Sequence, residues 1–297
     1  MRSNLLHSLQ QLHVDDAFGS ALARLLDGTG DRPTWLVWRE SLERFGTELG
    51  ITPSALAPFL NAWCLLYIVT LALDHVQDGD ALSDPWFAAQ PAAMQYQLVF
   101  STFAVALHAL SQLPAGGIPP ERIVRLHARW AASITQIAEG QYLDLAQGAQ
   151  QAATDTPSQA LLTRYERIAA QKTGATFALG FGGVAELATD SAHVVEAASR
   201  AGLAYGLLLQ YNDDLLDAAT QRDRPQALTL ERALCAAYPE ASAQPAQAAQ
   251  HFWRHVYAQY IEQFPVILAP LPSAAKTIVF DLLRDSFGPS LIHTAQR

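Results

Sequence analysis

Seventeen consecutive residues, Ala57 to Leu73, carry no charged side chain, and the run ends in "DHVQD", Asp74 to Asp78. A helix that is apolar all round must be surrounded, by lipid or by protein. This one falls short of the ~20 apolar residues that cross a bilayer, contains Pro58 and Asn61, and has no basic residue on either flank. It reads as the central helix of a large helical protein and not as an integral membrane span. Nearly every other segment also repeats its apolar residues with a helical period, and strand-like alternation between turn signals is missing. The expected fold is all-α, a single domain over residues 1–297 with ten or more helices.

Helix boundaries follow from caps and breakers. "GDRPTWLVWRESLERFG" predicts a helix capped by Asp31, with Pro33 in its first turn and an end at Gly46 or Gly50. The apolar helix runs from about Pro53 to Asp78, and a loop through "DGDALSDP" leads to one helix from about Pro85 to Leu113. "PAGGIPP" breaks the chain before a long helix from about Glu121 to Gly148. Two consecutive helices, near Ser158–Ala170 and Lys172–Thr189, precede another from Ala192 to about Ala218. Three shorter helices are expected after the loop "TQRDRPQ".

A net charge of −9 argues against nucleic acid as a partner, because binding a phosphate backbone relies on clustered Lys and Arg. The two cysteines, Cys64 and Cys235, have no metal or redox spacing, and the N-terminal stretch lacks the pattern of a signal peptide. The expected location is cytoplasmic. Basic residues are unevenly spread: none lies between Arg44 and Arg122, and Lys172 and Lys276 are the only lysines.

Asp74 and Asp78 are four apart, so on a helix they share a face and repel each other. "GLLLQYNDDLLDAA" repeats the arrangement with Asp213 and Asp217, Asp214 lying between them. Paired carboxylates at the ends of apolar helices cost stability unless a cation offsets them. Mg²⁺ suits the donors: it takes oxygen ligands and is usually bound through one or two carboxylates together with substrate phosphates. Two such pairs could hold a diphosphate through bridging metal, although the chain is acidic. The plainer alternative is that each pair is a solvated helix end.

In these residues the chain resembles the trans-isoprenyl diphosphate synthases, or polyprenyl synthetases. "DHVQD" is similar to the first aspartate-rich motif of that family and "QYNDDLLD", Gln210 to Asp217, to the second, with "GQYLDL" (Gly140 to Leu145) and "KTG" (Lys172 to Gly174) between them in the family's order. The resemblance implies an all-α fold around a deep apolar cavity, usually a homodimer, with three Mg²⁺ holding an isoprenoid diphosphate at the cavity mouth. It implies Asp74, Asp78 and Asp213 as metal ligands, with Asp214 and Asp217 supporting metal-bound water and the geometry of the second motif. Lys172 would hold the diphosphate, and Thr173 and Gln210 would direct oxygen dipoles at the allylic cation. Gln141 and Asp144 would line the wall near the metal. Gly202 and Gly206, four apart, are read as a close-packing seam.

The resemblance breaks at the second substrate's site. His75 stands where the family has Asp, and "GDALSDPWF" follows the first motif without the family's paired arginines. Arg32 in "GTGDRP" is retained, Thr29 replaces a lysine, Tyr67 stands near a usual histidine, and only Arg222 and Arg224 offer charge after the second motif. An anion with several charges needs charge-assisted donors. The expected chemistry is therefore Mg²⁺-dependent ionisation of an allylic diphosphate, leaning toward a terpene synthase (cyclisation or water capture) or transfer to an unusual acceptor. Ordinary extension with isopentenyl diphosphate is the alternative, and a non-catalytic regulatory subunit a third. Small Val69 and Thr70 before Asp74 suggest room for fifteen or twenty carbons, provided no ring of Trp63 or Tyr67 closes the space.

Overall fold

The computed structural model describes residues 15–30, 33–78, 85–150, 158–219 and 228–293, and among them every regular element is helical. Two compact units divide the chain: residues 1–124 with 186–188, and residues 125–185 with 189–297.

In the first unit, α1 spans Asp16–Gly30, α2 Pro33–Glu48 and α3 Pro53–Asp78. The short α4, Pro85–Ala88, precedes α5, Ala92–Ser111. The sequence reading had no helix at α1, although its cap was legible: Asp15 Oδ1 accepts from the Ala17 amide at 2.9 Å. The single helix expected from Pro85 to Leu113 is two. Gln90 and Pro91 interrupt it, because proline disfavours helical backbone in the residue before it, and Gln95 Nε2 closes the corner by donating to the Phe87 carbonyl at 2.8 Å. The expected end of α2 at Gly46 or Gly50 falls at Glu48, and Gly50 takes the left-handed φ of 91° that favours glycine.

α3 packs against α5 and α2. Phe59, Leu60, Trp63, Leu65 and Ala72 are buried within the unit, as expected of a core helix. Cys64 lies among them, and burial pushes its thiol up to about 12 against a slight opposing pull from Arg39. α3 and the segment Ala92–Gly116 are long and apolar enough to cross a membrane by composition, as core helices of helical proteins can be.

In the second unit, α6 (Pro120–Gln150, counted here from Arg125) is followed by α7, Ser158–Ala169, and α8 (Ala175–Ala188, counted here to Ala185). α7 and α8 are not separate helices. A five-residue π turn, Ala170–Gly174, joins them into one rod and contains the whole of "KTG". Then come α9, Ala192–Ala219; α10, Leu230–Ala237; α11, Pro245–Ile267; and α12, Ser273–His293. The last two are longer than the short helices anticipated.

α9 is the axis of this unit and packs against the π turn, α11 and α7. Its inner face is held by rings and by two polar anchors. Tyr205 sits between Phe177 and Phe287 with centroids 4.9 and 5.4 Å away, and its hydroxyl meets Ser286 Oγ at 2.8 Å. Trp253 Nε1, fully buried, donates to the Leu208 carbonyl at 3.2 Å. Gly202 and Gly206 form the close-packing seam that their spacing suggested. A Cβ on Gly202 would stand 2.2 Å from the Phe177 carbonyl oxygen, and one on Gly206 would stand 2.6 Å from that of Thr173.

Candidate functional site

Three of the four motifs meet in the second unit, around the π turn. An α-helix with one residue too many for its hydrogen-bond ladder must bulge, and such bulges are frequent at functional sites. Here the bulged residues are gripped from two sides. On the α6 side, Gly140 lies so close that an added Cβ would be 2.8 Å from Gln171 Cβ and 3.0 Å from the Lys172 amide nitrogen. On the α9 side is Gly206. Beside Gly140, Glu139 accepts from Gln171 Nε2 at 2.7 Å and pairs with Arg167.

Within this grip Lys172 Nζ donates to Asp144 Oδ2 at 2.7 Å, with both side chains about one-fifth exposed (18% and 19%). That partial exposure holds an ammonium group in place while leaving it open to an anion. Gln141, three residues before Asp144 on the same face of α6, has its Nε2 buried without a hydrogen-bond partner. A buried donor in that condition favours a bound acceptor.

Thr173 Oγ1 donates to Gln210 Oε1 at 2.6 Å, which ties "KTG" to the second acidic motif on α9. Gln210 Nε2 donates in turn to Asp214 Oδ1 at 3.0 Å. Each of the two oxygens, Thr173 Oγ1 and Gln210 Oε1, keeps acceptor capacity for a third partner.

The second motif then divides by direction. Asp213 is exposed and Asp217, four residues on, partly so; they share one face at the end of α9 as the spacing required. Asp214 turns inward. Its Oδ2 accepts from the Tyr165 hydroxyl at 2.9 Å and the Leu230 amide at 2.8 Å, while Oδ1 accepts from Gln210. Burial raises the Asp214 carboxyl, and the hydrogen bonds from Leu230, Tyr165 and Gln210 oppose the rise. Burial and the adjacent Asp214 charge hold the Tyr165 phenol well above its ordinary range, so it remains a donor. Of the five acidic residues assigned to metal, Asp214 thus has both oxygens committed to protein donors and serves as a strut. The Tyr165 hydroxyl, the Leu230 amide and Glu139 were not legible as site residues. Tyr165 reads in sequence as part of the apolar stripe Leu162, Tyr165, Ile168, and its partner lies forty-nine residues away.

In the first unit Asp74 is partly exposed on the last turn of α3, with His75 beside it. Asp78 is the last helical residue, and its side chain lies outside the described residues. Below Asp74 on the same face, Trp63 stacks on Tyr67 with centroids 6.3 Å apart, and Trp38 meets Tyr67 edge-on at 5.1 Å. These rings lie two and three turns beneath Asp74. Arg32, Arg222 and Arg224, all three candidate cations for the diphosphates, lie outside the described residues. Among the described residues no three His, Cys, Asp or Glu side chains converge as a ready metal cluster.

Residues 89–226 match the family model described as polyprenyl synthetase. Solved structures agree over nearly the whole chain. A geranyltransferase from Legionella pneumophila shares 19% identity at a TM-score of 0.69, covering 96% of this chain and 93% of its own. This chain has the isoprenoid synthase fold. The geranylgeranyl pyrophosphate synthetase of Pyrococcus horikoshii Ot3 gives 16% identity and a TM-score of 0.69 over 95% of this chain and 93% of that one. The geranylgeranyl pyrophosphate synthase of Lactobacillus brevis gives 19% and 0.68 over 95% and 94%. No curated protein matches by sequence. The matched family segment contains "GQYLDL", "KTG" and "QYNDDLLD" and begins beyond "DHVQD". The matched segment thus holds the three motifs that the second unit brings together.

Proposed function

We propose that this polyprenyl-synthetase-like chain is a Mg²⁺-dependent prenyltransferase that extends an allylic isoprenoid diphosphate with isopentenyl diphosphate. The observation that carries the proposal is the hydrogen-bonded chain from Thr173 through Gln210 to Asp214, beside the Lys172–Asp144 pair, which makes one site of three motifs. Asp213 and Asp217 supply hard, accessible oxygens suited to Mg²⁺, and Asp74 and Asp78 are assigned to the same reaction from the first motif. When bound, the metal offsets the charge of the diphosphate and eases its departure.

The chain's own groups do the rest. Lys172, steadied by Asp144, meets the diphosphate, and the Gln141 amide donates beside it. As the allylic C–O bond breaks and diphosphate leaves with the electron pair, Thr173 Oγ1 and Gln210 Oε1 present fixed lone pairs to the cation. The isopentenyl double bond then forms the new carbon–carbon bond, and a proton is lost.

The lean toward a terpene synthase finds no support in the comparisons, whose relatives bear the names of elongating synthases. Ionisation without extension remains a second reading because of one observation, the lack of any Lys or Arg from Arg44 to Arg122. Incubation with Mg²⁺ and geranyl, farnesyl or geranylgeranyl diphosphate, with and without isopentenyl diphosphate, followed by mass spectrometry, separates the readings. A longer diphosphate, formed only with isopentenyl diphosphate and lost in Lys172→Ala and Asp213→Ala, supports extension. A hydrocarbon or alcohol formed without it supports the second reading, and no turnover supports a regulatory subunit.

A homodimer is part of the proposal. α5 exposes Tyr96, Phe100 and Leu107 (44%, 69% and 43%) along one helical face, an apolar stripe suited to a second copy. A cytoplasmic location accords with two cysteines that are both free.

A further inference from the structure

The geometry assigns Tyr165 as a positioning residue: through Asp214 it fixes which way the Gln210 amide faces, and so aims Gln210 Oε1, which accepts from Thr173, toward the reacting carbon. This rests on the prenyltransferase reading above.

The argument runs along donors and acceptors. An amide can present either its oxygen or its NH₂ to a neighbour, and packing alone does not choose between them. Here Gln210 Nε2 faces a carboxylate oxygen of Asp214, an acceptor that rejects the flipped amide, so Oε1 is left for Thr173. Asp214 can impose that choice only if its own plane is fixed. Two donors fix it, the Tyr165 hydroxyl from α7 and the Leu230 amide at the first turn of α10, both on Oδ2. The chain of polarisation runs Tyr165, Asp214, Gln210, Thr173. The Leu230 amide belongs to protein backbone and cannot be tuned, whereas the tyrosine hydroxyl can. The Tyr165 ring is held independently: it stacks on Tyr211 at 5.7 Å and 27°, and Tyr211 leans on Phe252 at 5.9 Å. Removing the hydroxyl therefore leaves the ring packing in place.

Tyr165→Phe deletes the hydroxyl alone. The expected result is a fall in kcat of about tenfold or more, the scale of one hydrogen bond to a charged group, with KM for the allylic diphosphate within about twofold; the melting midpoint falls as well, because the same bond contributes to stability. A purely structural tyrosine would lower the melting midpoint and leave kcat of the folded enzyme within about twofold of wild type, and that outcome would overturn the assignment. Gln210→Met removes the amide that the brace orients. On that background the further effect of Tyr165→Phe should shrink to less than about twofold, because the brace acts through that amide alone; a full, independent tenfold loss would refute the proposal.

A third arm does not depend on turnover. In the ¹⁵N-labelled full chain, Tyr165→Phe must shift the Leu230 amide resonance and hasten its hydrogen exchange, since the two donors share Oδ2. An unmoved Leu230 amide sinks the brace. If Leu230 moves while wild-type protein converts no allylic diphosphate, the brace stands and the prenyltransferase reading is the one that fails.

Discussion

Adding one methyl group at two glycines should change stability by very different amounts. In Gly206→Ala the new Cβ falls 2.6 Å from the Thr173 carbonyl oxygen, 2.8 Å from Gly174 Cα and 2.9 Å from the Thr173 carbonyl carbon. All three are backbone atoms and cannot swing aside, so the cost lies near the upper end of overpacking, about 3 kcal/mol. Alanine returns about 1 kcal/mol through helix propensity. The net loss is about 2 kcal/mol, or a fall of about 4–8 °C in the melting midpoint for a unit of this size. In Gly288→Ala the nearest neighbour is Arg284 Cγ at 3.9 Å, an ordinary contact with a flexible side chain. The propensity gain of about 0.5–1 kcal/mol is opposed by Pro289, because a proline ring crowds a Cβ on the helical residue before it, so the midpoint should stay within about 2 °C of wild type. Scanning calorimetry on the two variants measures the difference, and turnover should fall in Gly206→Ala alone, because the displaced backbone belongs to Thr173. Equal shifts, or a Gly206→Ala protein that melts with wild type, would refute the close-packing argument.

Four further outcomes are expected. Asp144→Asn should weaken pyrophosphate binding by several-fold at most, whereas Lys172→Ala should weaken it by at least about tenfold, as calorimetric titration would show. Mg²⁺ with pyrophosphate should raise the melting midpoint of wild type by mass action, and EDTA or Asp213→Asn should abolish the rise. With its thiol pushed up to about 12 from an ordinary 9.0, Cys64 should resist alkylation at pH 8 in native protein and react in denaturant. The sign for stability follows: the contribution is complete below 9.0 and is lost as pH climbs toward 12, because the unfolded thiol ionises first. Phe100→Glu should convert a dimer to monomers in light scattering.

The all-α class, the buried α3 and the glycine seam of α9 were all legible, because each depends on periodicity within one stretch of chain. α1 is marked in sequence only by its cap, Asp15, because its small residues Gly19, Ser20 and Ala21 blur the apolar stripe. In sequence the π turn is indistinguishable from a gap between two helices. A one-residue excess in a hydrogen-bond ladder leaves the same apolar pattern as a break, and only the grip of Gly140 and Gly206 separates the two. Asp214 was grouped with Asp213 and Asp217 because a run of carboxylates does not say which of them faces inward. The donors that turn it, Tyr165 and Leu230, are forty-nine and sixteen residues away.

The rod formed by α7, the π turn and α8 must satisfy two sets of neighbours at different angles: Asp214 and Tyr211 against Tyr165, then Tyr205 against Phe177. A regular α-helix would lock those angles together at about 100° per residue. The turn at Ala170–Gly174 takes up one residue more than a regular turn would hold. The chain is thus constrained at this point by count more strongly than by identity. Ala170 can be exchanged for another small residue at modest cost, but deleting any one of the five would close the widened turn into an ordinary one and withdraw the slack that lets Lys172 meet Asp144 while Thr173 meets Gln210.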